Sequence, residues 1–339
     1  MKKALVFIIK LIFIVGLFAY LIYRAAPGSA FSELSSRAVN INYLAIGFFF
    51  NLAATVITII RWRALVRALG DPLPTSDALK YGFIGFMFNL SPIGIIGGDA
   101  VKAVLLVKKN NVSAERAAAS VVIDRVVGLY AMFLLGLAVL LATGFYANPN
   151  PLCKFVTQGL AVLTVGTTVF LAFIVAPASE KNVRIKIASK IPFIGGVMEK
   201  LTSAALIYRD KKKTLFLSLC ATFVVHSFFA ISLFFFARAL YGATPSLVDH
   251  FILYCVGNVG SIIPLSAGPL EYFLDELYPL FLIPSRGCSL EPGYGMAIGI
   301  VYRLATALVA LIGVAYYVLS KRKLNGAPDH SNVDNSSVG

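Results

Sequence analysis

Six long apolar runs dictate what this chain can become. Residues 4–23, 41–60, 126–143, 155–176, 214–237 and 295–320 each reach, or nearly reach, the length that carries a helix across roughly 30 Å of hydrocarbon. Backbone N–H and C=O groups in lipid find no water, so they must bond within their own segment, and such runs must be helices. With 58% hydrophobic and 14% charged residues, the chain has too little charge to cover a soluble domain of 339 residues. It reads as an all-α polytopic integral membrane protein. Met1-Lys2-Lys3 before an apolar run also opens a signal peptide, but this run exceeds a usual signal core, so an uncleaved first span is expected.

A net charge of +14 raises nucleic acid as a partner, yet there is no nucleic-acid motif and no basic groove interleaved with aromatics. The basic residues flank the apolar runs, where they report topology and attract anionic lipid headgroups. Cys153, Cys220, Cys255 and Cys288 have no metal-ligand spacing, and with three histidines in the chain no metal site and no cofactor is implied.

Placing Lys2 and Lys3 in the cytoplasm orients the rest. The stretch 78–97 contains Asn89, Pro92 and several glycines, poor material for one straight lipid-facing helix, so it is read as a hairpin that enters and leaves on one face. A second broken region spans 247–283. About six full spans and two broken or re-entrant regions result, with both termini cytoplasmic in a cell membrane. This topology puts 23 Lys/Arg inside and 6 outside, with Lys10 inside the first span, a strong positive-inside asymmetry. Residues 1–323 form one transmembrane domain, with a basic cytoplasmic loop at 177–213 that includes an interfacial helix. The polar tail 324–339 is expected to be disordered.

Two stretches, about 78–143 and 247–320, share a plan: an Asn (Asn89, Asn258), a Pro/Gly break (Pro92, Gly97, Gly98; Pro264, Gly268), an acid (Asp99, Glu271), then an Arg opening a long apolar run (Arg125, Arg303). Three spans lie between the two breaks, so the repeat is expected to be inverted, a recurrent plan of secondary transporters. Asp99, Lys102, Asp124, Arg125, Glu271 and Arg303 are ionisable groups in apolar surroundings, which are costly unless paired or hydrated and therefore mark candidate sites. Helix-packing ion pairs remain the alternative for Asp124 and Arg125. His226 is expected to be a hydrogen-bonded core residue, and Arg61-Trp62-Arg63 an interfacial anchor.

The segment from Leu90-Ser91-Pro92 to Gly97-Gly98-Asp99-Ala100-Val101-Lys102, with residues 117–120 and Asp124-Arg125-Val126-Val127-Gly128, resembles the transmembrane region of lysylphosphatidylglycerol synthases, a family of flippase-like membrane proteins. Pro264, Gly268, Glu271 and Tyr302-Arg303-Leu304 resemble its second signature, and the likeness covers about residues 5–320. Lys102 stands where the family's first signature carries an Arg. The resemblance implies the translocating half of such proteins, without the soluble aminoacyl-transfer domain: a transporter moving a phospholipid or lipid-linked headgroup between leaflets. Asp99 and Arg125 would serve the inner half, Glu271 and Arg303 the outer. No P-loop is present. Two rivals stay open: a membrane-embedded transferase on lipid or polyprenyl substrates, and a non-transporting partner of lipid or glycan synthesis enzymes.

Overall fold

The protein is seen in a computed structural model that describes residues 30–89, 95–175, 195–259, 268–283, 287–289 and 291–325, with isolated positions between 16 and 23 and between 185 and 190. Most of the first apolar run, the breaks at 90–94 and 260–267 with Pro92 and Pro264, and the tail from 326 lie outside those residues. In chain order the helices are α1 (Ala30–Ser36), α2 (Ile41–Ala68), α3 (Thr75–Asn89), α4 (Ile95–Asn110), α5 (Ala114–Ala142), α6 (Pro151–Val175), α7 (Gly195–Ile207), α8 (Lys212–Tyr241), α9 (Leu247–Val259), α10 (Pro269–Leu277) and α11 (Tyr294–Asn325). A two-residue antiparallel ribbon, β1 (Leu282–Ile283) with β2 (Cys288–Ser289), precedes α11. Among the described residues five helices, α2, α5, α6, α8 and α11, are long and apolar enough to cross a membrane.

Polar residues at the run ends set where these helices begin. Asn40 accepts the Tyr43 N–H at the start of α2, and Ser113 accepts the Arg116 N–H at the start of α5, each satisfying a backbone donor that the helix itself leaves orphaned. Asp275, buried on α10, does the same at a distance, taking the Gly293 N–H at 2.6 Å and the Met296 N–H at 3.1 Å where α11 opens. Large apolar side chains remain exposed along the long helices; on α6, Phe155, Val162 and Val169 are each more than 60% exposed. In water such a face would be untenable, whereas lipid solvates it.

Both broken regions are antiparallel hairpins. The Tyr81 hydroxyl, midway along α3, donates to Asn110 Oδ1 at the end of α4, 3.0 Å away. Nearer the break, α3 and α4 touch backbone to backbone: a Cβ on Gly98 would strike the Gly85 carbonyl and the Asn89 side chain. In the second hairpin, His250 near the start of α9 lies 5.7 Å, ring to ring, from Tyr278 just beyond α10.

Each hairpin sits between two long helices, so α2–α5 and α8–α11 form equivalent units. Contacts between the units follow the same equivalence: α3 packs on α11 as α9 packs on α5, and α2 touches α11 as α8 touches α5. The helices at the shared centre, α2 and α8, run antiparallel, with Asn40 N–H bonded to the Ala239 carbonyl at one end and Arg61 bonded to Thr222 toward the other. The repeat is therefore inverted, and each unit includes a long helix ahead of the stretch in which sequence similarity is visible. α7, from the basic loop, packs on α5 and more lightly on α6, and Tyr208 just beyond its end donates its hydroxyl to the Leu65 carbonyl of α2 at 3.0 Å.

Candidate functional site

Asp99 lies one turn into α4, just past the break, with 8% of its surface exposed. A carboxylate so placed needs cations, and it has two. Lys102, three residues along the same helix face, brings Nζ to 2.9 Å of Oδ1, and Arg125 of α5 engages Oδ2 through Nε. The Lys102 ammonium also lies over the Trp62 ring, 5.3 Å from its centroid.

The second unit repeats this with a glutamate. Glu271, in the first turn of α10, is fully buried, and Arg303 of α11 grips it as a fork, Nε to Oε1 and Nη2 to Oε2 at 3.0 Å. Oε2 also accepts the Gly268 N–H at 2.9 Å, where a φ of +104° suits the absence of a side chain. Asn89 and Asn258 close the helices ahead of the two breaks, and Asn258 Nδ2 donates to the Tyr254 carbonyl at 2.9 Å.

A third ion pair, in the first unit, has no counterpart in the second among the described residues. Arg61 of α2 meets Asp124 of α5 through Nε at 3.0 Å and Nη2 at 2.8 Å, donates again to the Asp124 carbonyl, and gives Nη1 to Thr222 Oγ1 on α8 at 2.6 Å. Both side chains are 5% exposed. This overturns the expected interfacial anchor: Arg61 is a buried tie between three helices, and Trp62, 1% exposed, donates its indole N–H to Ser120. Arg63 turns away and donates to the Leu73 carbonyl. Two residues span about 200° of helix, so neighbours at 61 and 63 cannot share a surface, and that spacing was the available signal.

His226 of α8 is hydrogen-bonded and buried, as expected, and it also faces the site. Its Nε2 lies 2.9 Å from the Gly128 carbonyl and Nδ1 lies 3.0 Å from the Tyr254 hydroxyl. A carbonyl only accepts, so Nε2 carries hydrogen, and in the neutral ring Nδ1 takes the tyrosine proton. The contact ties α8 to α5 and α9.

These groups converge on one cavity of about 320 Å³, in the size range of small-molecule sites. Its polar lining includes Arg61, Asn89, Lys102, Arg125, Asn258 and Arg303, drawn from both units, and its apolar walls include Phe86, Leu129 and Phe229. Asp124 is also in the lining, whereas Asp99 and Glu271 stand behind their arginines. Gly97, Gly98 and Gly268 are not in the lining, and Gly98 is taken up by the α3–α4 crossing. So the inverted arrangement brings Arg125 and Arg303, far apart in sequence, to a common space.

The family of the lysylphosphatidylglycerol synthase TM region matches residues 7–313. The chain belongs to this family. No curated protein and no solved structure matches it. The matched region takes in the first unit whole and the second through most of α11, so every cavity residue named above lies within the family domain.

Proposed function

We propose that the protein is a lipid transporter of the flippase type, moving a lipid headgroup between leaflets through the cavity while the acyl chains stay in the bilayer. The observation that carries this reading is that Arg125 and Arg303, one from each inverted unit, line the same space, each backed by a buried acid. Membership of a family described by a lipid synthase's membrane region supports a lipid-related role. A cavity of about 320 Å³ with guanidinium groups in its wall suits a small polar headgroup.

The physical logic follows from the cost of charge in hydrocarbon. A phosphate crossing the bilayer alone would be desolvated without compensation, and fixed guanidinium groups replace part of its hydration. The arginines are themselves affordable there because Asp99 and Glu271 neutralise them. Two inverted units around one site can exchange conformations, opening the cavity toward either face in turn. Asp99 and Arg125 would then serve the cytoplasmic half and Glu271 and Arg303 the outer half.

Reconstitution tests the reading. Vesicles holding the protein and a fluorescent anionic phospholipid should equilibrate the probe between leaflets faster than protein-free vesicles, as read by bleaching of the outer leaflet. Rates equal to protein-free vesicles, from protein that melts cooperatively, would contradict it.

A further inference from the structure

The central helices α2 and α8 meet at two levels, at either end of the stretch with which they line the cavity, and the levels are not equally bonded. At the first, Arg61 gives Nη1 to Thr222 Oγ1 at 2.6 Å. At the second, a Cβ on Gly47 would strike the Phe236 ring and lie 3.2 Å from the Ser232 carbonyl. The antiparallel register that sets Arg61 against Thr222 therefore sets Asn51, one turn on from Gly47, against Ser232. Thr55, Thr58, Val225, His226 and Phe229, from the turns between, line the cavity. The two levels are equivalent under the inverted repeat. Counting back equally from Arg67-Ala68-Leu69 and Arg238-Ala239-Leu240 matches Arg61 with Ser232 and Asn51 with Thr222, so each pair is the counterpart of the other.

Bonding does not follow this equivalence. Asn51 and Ser232 are both fully buried, and among the described residues neither amide atom of Asn51 nor the Ser232 hydroxyl has a hydrogen-bond partner. Neighbouring hydroxyls show what a helix ordinarily offers: Thr55, Thr58, Thr222 and Ser227 each donate to the carbonyl one turn back, at 2.6–3.0 Å. An amide and a hydroxyl are complementary, since either can donate to the other. Left open side by side, they raise the free energy of this conformation, and hydrocarbon offers no solvent to relieve them. A cost that a small displacement of two helices would remove points to a second conformation in which it is removed. Exchange of conformations between inverted units supplies one, because it carries the bonded geometry from one level to the other. We infer that Asn51 and Ser232 form a latch that closes when the cavity turns to the opposite face, while the Arg61–Thr222 bond holds the conformation seen here. Arg61 keeps Asp124 when its contact with Thr222 opens, so the exchange strands no charge. The latch rests on the proposed transport reading for its purpose, but it concerns conformation and is tested without lipid.

Sidedness of a cysteine in the cavity wall reads the exchange directly. In a background lacking the native cysteines, Leu129→Cys would be labelled with a membrane-impermeant maleimide, from outside in intact cells and from inside in inverted vesicles, and the ratio of the two rates taken. Ser232→Ala removes one oxygen: it relieves an open hydroxyl here and deprives Asn51 of its partner in the other state. The ratio should shift at least about tenfold toward the face favoured by this conformation. Asn51→Ala should shift it the same way, and it decides the matter if Ser232→Ala fails to fold. Thr222→Ala opens the other latch and should shift the ratio in the opposite direction. Ratios unchanged by all three substitutions would overturn the inference and leave Asn51 a packing residue or one bridged by a buried water. Shifts of Ser232→Ala and Thr222→Ala in one direction would overturn it too. Opposed shifts in protein that moves no lipid would sink the transport reading and leave the latch standing; lipid exchange with unchanged ratios would do the reverse.

Discussion

Asp99 and Glu271 occupy equivalent positions, yet they should respond differently when an arginine is removed. Asp99 keeps Lys102 after Arg125→Ala, and the Arg125 side chain is partly exposed, so little is stranded. Glu271 is fully buried, and Arg303→Ala leaves it with a single backbone N–H as its bonded partner among the described contacts. Breaking a buried pair costs about 3–5 kcal/mol because the other charge is stranded. Thermal melts should therefore show Arg125→Ala near wild type and Arg303→Ala markedly lower, with Arg303→Ala/Glu271→Gln recovering much of the loss. Equal melting of the two single variants would refute the distinction. Arg61→Ala should behave like Arg303→Ala, since Asp124 is 5% exposed and Arg61 is its only ion-pair partner among the described residues. The acids and arginines of the breaks were legible in the sequence because an ionisable group set within apolar surroundings is costly and needs a reason. Arg61 was not, because Arg63 follows it at the run's end and the two read together as a surface cluster.

At the scale of elements, the α3–α4 hairpin depends on a crossing that admits no side chain. Gly98→Ala would press a methyl into the Gly85 carbonyl, which is backbone and cannot step aside, at a cost of about 1–3 kcal/mol. Gly159, exposed on α6 with nothing within 4 Å of a built Cβ, provides the control: Gly159→Ala should be neutral or stabilising by at most about 1 kcal/mol. Similar melting losses for both would mean that helix propensity, and no close approach, governs Gly98. Hairpins were foreseeable because Pro and Gly interrupt apolar runs in both regions. The full extent of the repeat was harder to see, since α2 and α8 share little along their lipid-facing length. One trace does remain. Arg67-Ala68-Leu69 leads to Gly70 at φ +90°, and Arg238-Ala239-Leu240 leads, one residue later, to Gly242 at φ +70°, each turning the chain from a long helix toward its hairpin.

For the molecule as a whole, the inverted units predict sidedness. Asn111 and Asn150 flank α5 and its short following turn, so in a background lacking the native cysteines a single cysteine at one should label from outside the cell and at the other should not. On the positive-inside asymmetry, the expected outcome is labelling from outside at position 150 and none at position 111. Labelling of both from the same face would dismantle the inverted arrangement and the shared cavity with it. That cavity is the centre of the account, because it converts two modest ion pairs into one site reachable from either unit. The most direct measurement compares leaflet exchange of an anionic phospholipid in vesicles containing wild type or Arg125→Ala, with melting recorded on the same preparations. Exchange by Arg125→Ala should be slowed at least about tenfold, equivalent to roughly 1.4 kcal/mol of lost headgroup stabilisation, with melting close to wild type. Full exchange by a normally folded Arg125→Ala would contradict it.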